Sequence, residues 1–189
     1  AFEPLPRQAE YLRRTFPNVR VEEVALSDRT GRSTFFYVEN DPAYSGLRQR
    51  VYDHPNPTLK SIQVEVARLD DRIPADFPVA FVKLDIEGGE FHALRGAVRT
   101  IRRWYPFIVF EAGIKSTGQY GVAPEEMLRL LTETLEYQVT TMERWLSGRL
   151  AYRPSEFCRN WNEGPDYYFL AEPGIQPGPA RRRGSWSNR

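Results

Sequence analysis

Phe81-Val82-Lys83-Leu84-Asp85-Ile86-Glu87-Gly88-Gly89-Glu90 is the stretch around which the chain can be read. An apolar run over residues 79–84 leads into carboxylates and a glycine pair. Period alone does not separate a buried strand from a helix, but the run is short and rich in β-branched and aromatic residues, which favours a strand. Downstream, Leu94, Ala97, Val98, Ile101 and Tyr105 recur at helical steps, and Pro106 ends the pattern. A second apolar run, Phe107-Ile108-Val109-Phe110, closes on Glu111. Strand, helix and strand within about thirty residues make a βαβ crossover, so the two strands are expected to be parallel neighbours. Open parallel sheets bind ligands beyond the carboxyl ends of their strands. Asp85, Glu87, Glu90 and Glu111 all fall at such ends.

Upstream, Ala1-Phe2-Glu3-Pro4 reads as a strand ending in an acid. Leu5, Ala9, Leu12 and Phe16 share one helical face, with Pro6 in the first turn, where its missing N–H costs little. Residues 19–26 read as a second strand, 27–31 as a turn, and 33–38 as a strand pairing back. Residues 39–60 are polar and proline-bearing and read as a long loop; 62–66 alternate as an exposed strand. Downstream, a helix starts at Ala123-Pro124-Glu125-Glu126 and buries Met127, Leu130, Leu131 and Leu135. Residues 137–142 and 167–170 suggest a late antiparallel pair. From Glu172 onward Pro, Gly and Arg dominate, which reads as a disordered tail over 172–189 behind one domain over 1–171.

With 189 residues, one domain is the expectation. Lys and Arg total 26 against 25 Asp and Glu, a net charge of +1 that argues against a general nucleic-acid binder. Cys158 is the only cysteine, so neither a disulfide framework nor a cysteine metal site is available. No apolar run reaches membrane-span length and no signal peptide is visible, so no membrane partner is expected and a cytoplasmic setting fits. Oligomeric state is not legible. The chain opens on domain sequence at Ala1 rather than on Met, which hints at truncation.

Four stretches, in this order, resemble the FkbM family of S-adenosylmethionine-dependent methyltransferases: Ala1-Phe2-Glu3-Pro4, Val24-Ala25-Leu26-Ser27-Asp28, Arg68-Leu69-Asp70-Asp71, and Val82 through Glu90 with its helix. Ser45-Gly46-Leu47 sits where the family has a short serine-rich stretch. The resemblance covers residues 1–112. It implies an α/β fold of the class I methyltransferase (Rossmann-like) kind, a mostly parallel sheet with helices on both faces. It implies S-adenosyl-L-methionine as cofactor and O-methylation of a hydroxyl on a small-molecule or glycan acceptor, such as a sugar or secondary metabolite. One departure is large. Such enzymes begin with a strand and a glycine-rich turn that holds the cofactor's methionine end, yet none of the 13 glycines here has Gly-x-Gly spacing. The first strand and helix, roughly 30 residues for such a unit, are therefore expected to be absent. That would leave a gap between the strand ending at Glu3 and the strand ending at Asp85.

Glu3, at a strand end, can accept two hydrogen bonds from ribose hydroxyls, or serve as a local cap before Pro4. Ser27 and Asp28 border the adenine in the family reading, or form a plain turn. Asp85 and Glu87 are two apart on a strand end and share a face. Either could be a general base on a substrate hydroxyl, or both could hold a divalent metal. Glu87 and Glu90 could instead cap the following helix, a reading preferred for Glu90 and left open for Glu87. Asp85 is expected nearest the transferred methyl, so it counts with both the catalytic and the cofactor-binding groups. Lys83 would pair with one of these acids. Glu111 fits substrate contact or ion pairing equally. His54 and His92 read as structural, as lone histidines more often are. Arg95, Arg99, Arg102 and Arg103 read as a solvated helix face; the aromatics Trp145, Tyr152, Phe157, Trp161, Tyr167 and Tyr168 fit either a platform for a sugar acceptor or packing, with packing preferred. Two other functions compete: a non-catalytic methyltransferase-like module binding a partner through its aromatic C-terminal part, and a metal-assisted transferase or hydrolase using Asp85, Glu87 and Glu111.

Overall fold

The structure is a computed structural model that describes residues 1–49, 52 and 56–174. Its strands fall into two sheets, not one. β1 (Ala25–Leu26), β2 (Gly31–Val38) and β3 (Leu59–Ala67) form a three-stranded sheet in the order β1-β3-β2. β4 (Phe81–Leu84), β5 (Phe107–Glu111), β6 (Tyr137–Thr140) and β7 (Tyr168–Pro173) form a four-stranded sheet in the order β4-β5-β7-β6.

The expectation of a mostly parallel sheet is corrected. β4–β5 and β1–β3 are parallel, as the βαβ reading requires for the first pair, but β2–β3, β5–β7 and β6–β7 are antiparallel. The fold is α/β with mixed sheets. The second strand is also shorter than its apolar run. Only Ala25 and Leu26 ladder, and Glu22 makes a lone parallel bridge with Phe2. Val19 lies exposed, so that part of the run gains nothing from pairing. β3 starts at Leu59, inside the segment read as loop, and β7 runs through Pro173, past the expected domain boundary at 171. The rest of the proposed tail, 175–189, lies outside the described residues.

Each sheet has its own core. Ile108 and Phe110 of β5 are fully buried with Phe169 of β7, Leu94, Ile101, Met127 and Phe157. A smaller cluster, Leu5, Ala25, Phe35, Val64 and Val66, holds the residue that leads into α1 (Pro6–Thr15) against the three-stranded sheet. Leu47 touches both clusters. The opposite face of β4 and β5 is only partly covered: Phe81 is 56% and Phe107 39% exposed, with Trp145 of α6 (Met142–Leu146) edge-on to Phe107.

The expected helix after the glycine pair is two helices, α3 (Glu90–Arg95) and α4 (Val98–Trp104). The break is at Gly96, where a Cβ would run into the Ser27 carbonyl oxygen. From α2 (Leu69–Arg72), the buried Asp70 carboxylate accepts the Arg99 and Thr100 N–H groups at 2.9 and 2.8 Å. It satisfies two N-terminal donors of α4 that have no partner within the helix. α5 (Pro124–Arg129) begins at the predicted proline, and α7 (Pro154–Glu163) crosses between β6 and β7.

Candidate active site

A cleft of about 700 Å³ lies between the two sheets. Phe2, Glu3 and Leu26 line one wall and Leu84, Asp85 and Glu87 the other. β4 is the outermost strand of its sheet, so its unpaired edge faces this space. The gap expected between Glu3 and Asp85 is therefore where the cleft is found.

The second wall is a tight turn. Glu87 and Gly88 both have left-handed backbone, at φ 59° and 99°. Any Cβ on Gly88 would sit 2.6 Å from Tyr120 Cε2 and 2.8 Å from the Ser116 carbonyl, so glycine is required there. The Asp85 Oδ2 atom accepts from Lys83 Nζ at 2.5 Å and from the Tyr168 hydroxyl at 2.9 Å. Lys83 also lies over the Tyr168 ring at 5.7 Å. Burial, then the bond to Asp85, pushes the Tyr168 hydroxyl up to about 12, so it remains a donor at any working pH. Glu111 is the β-ladder partner of Tyr168. Asp85, Glu87 and Glu111 each bring an oxygen to within 4.8 Å of the others, a spacing that would admit a cation. The Lys83 ammonium already opposes one of those charges.

The other expected residues fall as follows. The Glu3 carboxylate accepts the Leu5 N–H at 2.8 Å, and burial raises its pKa against that bond. Ser27, Asp28 and Glu111 are not among the residues lining the cleft. Ser27 is buried just past Leu26. Asp28 is tied to His92 Nδ1 at 3.2 Å and to Arg95 at 3.4 Å. Burial works to raise its pKa, but the His92 bond and the charges of His92 and Arg95 outweigh it and hold the carboxyl below its ordinary value. Arg95 is thus part of this pair rather than a purely solvated face. His54 lies outside the described residues.

Glu90 does not cap the helix it begins; α3 has no side-chain cap. Its carboxylate turns back, accepting the Ile86 N–H at 3.0 Å and the Gly88 N–H at 3.4 Å, with the Thr117 hydroxyl at 3.4 Å. Glu90 is fully buried, and that burial pushes its pKa from 4.5 to about 7. Between those values the unfolded chain has released a proton that the folded chain retains, so stability falls as pH rises through this window. The contribution is complete below about 4.5 and gone above about 7. Urea unfolding should show the parent losing on the order of 3 kcal/mol across that window relative to Glu90→Gln.

Three residues hold roles that escaped sequence reasoning. Tyr168 reaches Asp85 from 83 positions away, through strand pairing alone. Thr117 and Tyr120, in a short 3₁₀ turn over Thr117–Tyr120, back the acidic turn. No local pattern marks any of the three.

A family model described as methyltransferase FkbM domain matches residues 1–139. No curated protein matches the chain. Among solved structures, the chain is similar to that of methyltransferase FkbM from Methylobacillus flagellatus KT, with a TM-score of 0.50 and 19% identity. That similarity covers 90% of this chain and 35% of the other, so the chain spans about a third of that protein's length. At this identity the likeness concerns the fold.

Proposed function

Since this chain belongs to the methyltransferase FkbM family, we propose that the cleft is the S-adenosyl-L-methionine site of an O-methyltransferase and that the acceptor is a hydroxyl of a small molecule or glycan. The observation that carries this reading is the pairing of Glu3 and Asp85 on opposite walls of one apolar cleft beside the end of β4. The donor set fits most of the cofactor. Glu3 offers a carboxylate to a ribose diol, and Phe2, Leu5 and Leu26 offer apolar surface to a purine. Among the described residues that line the cleft Gly89 is the sole glycine, so none of them forms a glycine-rich turn for the methionine end.

When bound, the cofactor supplies an electrophilic methyl group on a sulfonium. The chain's own task is alignment of the acceptor oxygen and removal of its proton. Asp85 is the group proposed to take that proton. Lys83 and Tyr168 both bond Oδ2, which leaves Oδ1 for the acceptor hydroxyl. Ser27 and Asp28 would act from the rim beyond Leu26, with Asp28 setting the loop through His92. Pro42, Ala43, Ser45 and Leu47 border the cleft and are proposed as its acceptor side, the described part of the 40–60 segment that reaches it. The single cysteine fits a cytoplasmic setting.

Calorimetry with S-adenosylhomocysteine tests the site. Glu3→Ala should weaken binding by about 1.5–3 kcal/mol, the weight of hydrogen bonds to a charged group. An unchanged dissociation constant would remove Glu3 from the site. No binding by the parent would favour a non-catalytic module instead. The three clustered carboxylates favour one other reading, metal assistance, which predicts activity that is lost on adding chelator and restored by a divalent ion.

A further inference from the structure

Glu90 is a whole carboxylate buried behind the cleft, and the cleft wall is built on it. It does not line the cleft. Its Oε1 holds the N–H groups of Ile86 and Gly88, the two amides that bracket Glu87. The turn is conformationally expensive, with two consecutive residues in the left-handed region, one of them not glycine. Its far side is closed by Tyr120 and Ser116, which leave Gly88 no room to relax. The placement of Asp85 and Glu87 thus depends on what the Glu90 oxygens accept.

We infer that Glu90 is a positioning residue for the acidic wall: its ionised carboxylate shapes the Asp85–Gly89 turn, so that ligand binding in the cleft is tighter when Glu90 is charged. This rests on the cofactor reading of the cleft. A carboxylate accepts hydrogen bonds roughly twice as strongly as a neutral acid. On protonation, Oε1 keeps only the weaker acceptance of a neutral acid, and the hold on the left-handed pair slackens. Among the described residues, the titratable groups bearing on Glu90 are Glu111 from β5, whose charge opposes ionisation, and Tyr120 from the 3₁₀ turn, whose hydroxyl burial and Glu90 itself push up to about 12. Asp85 and Glu87 stand on the turn itself. Burial places the Glu90 titration at about pH 7, inside the working range, so the wall is graded by pH.

Two measurements on the full chain test this. By NMR, the Glu90 carboxyl and the Ile86 and Gly88 amide protons should titrate together, with a midpoint at about 7. Those amide titrations should vanish in Glu90→Gln, which keeps the volume and cannot ionise. Thr117→Val, which removes a hydroxyl donated to the carboxylate, should move the midpoint upward. By calorimetry, S-adenosylhomocysteine should bind the parent on the order of fivefold more tightly at pH 8 than at pH 6, the weight of about one hydrogen bond, with the difference abolished in Glu90→Gln. Amides that do not follow the carboxyl, or an affinity profile identical in parent and Glu90→Gln, would overturn the inference. Joint titration in a chain that binds no S-adenosylhomocysteine would support Glu90's hold on the turn and remove the cofactor reading. Should Glu90→Gln not fold, Thr117→Val decides, and an unmoved midpoint overturns the inference.

Discussion

Asp85→Asn should lower methyl-transfer turnover by roughly 10²–10⁴-fold, the usual contribution of a general base, while leaving S-adenosylhomocysteine affinity nearly constant. The amide keeps the shape of the carboxylate and can still accept from Lys83 and Tyr168, so the wall should stand while the proton acceptor is gone. A structural role would show differently: melting temperature would fall, and activity would fall with the folded fraction. A metal role would show as chelator sensitivity in the parent. Turnover equal to the parent, with no chelator effect, ends both catalytic readings of Asp85 and turns attention to Glu111 or His92.

A large stability effect should come from a residue with no chemistry at all. Gly96→Ala sets a methyl group into the Ser27 carbonyl, and neither backbone can give way cheaply. Asp70 N–H bonds the Gly96 carbonyl at 3.0 Å, and Gly96 N–H bonds the His92 carbonyl at 3.0 Å, so the helix junction is held from both sides. Overpacking of this kind costs about 1–3 kcal/mol or more. For a chain of this length that is a melting-temperature drop on the order of 10 °C. Differential scanning calorimetry checks it, and a drop of a degree or less would show that the junction can open without loss. Because Ser27 carries Asp28, the Asp28–His92 pair should loosen as well, seen by NMR as a change in the His92 ring resonances at fixed pH.

What could be read in advance follows the range of the interactions. The β4–β5 crossover was legible because apolar runs, helical spacing and Pro106 lie within a few turns of one another. The late antiparallel pair was legible for the same reason. The split into two sheets was visible only as a gap between Glu3 and Asp85. The mixed strand directions were not, since nothing near β7 says that it will lie against β5 rather than beyond β6. The site divides likewise. Asp85, Glu87 and Glu3 stand at strand ends that a period can locate. Tyr168 and Thr117 arrive by tertiary packing from 83 and 27 positions away. Glu90 was read as a helix cap because position in sequence cannot tell a side chain pointing into its helix from one folded back on the preceding turn. The break at Gly96 needed knowledge of Ser27.

Two cores with Leu47 packed against both have a thermodynamic consequence. Among the described residues no backbone ladder crosses from the three-stranded to the four-stranded sheet; the links are side-chain ones, such as Leu26 on the larger core and the Asp28–His92 pair, so one sheet can open in part while the other stays folded. A molecule held by Glu3 on one side and Asp85 on the other would bind only when both units are closed. By mass action it would add RT ln(1 + [L]/Kd) to both at once, about 2.7 kcal/mol at a hundredfold excess over Kd. In such a protein the ligand is also a structural member, the beam that makes one body of two, and the free and loaded chains would differ most in how many transitions their unfolding shows.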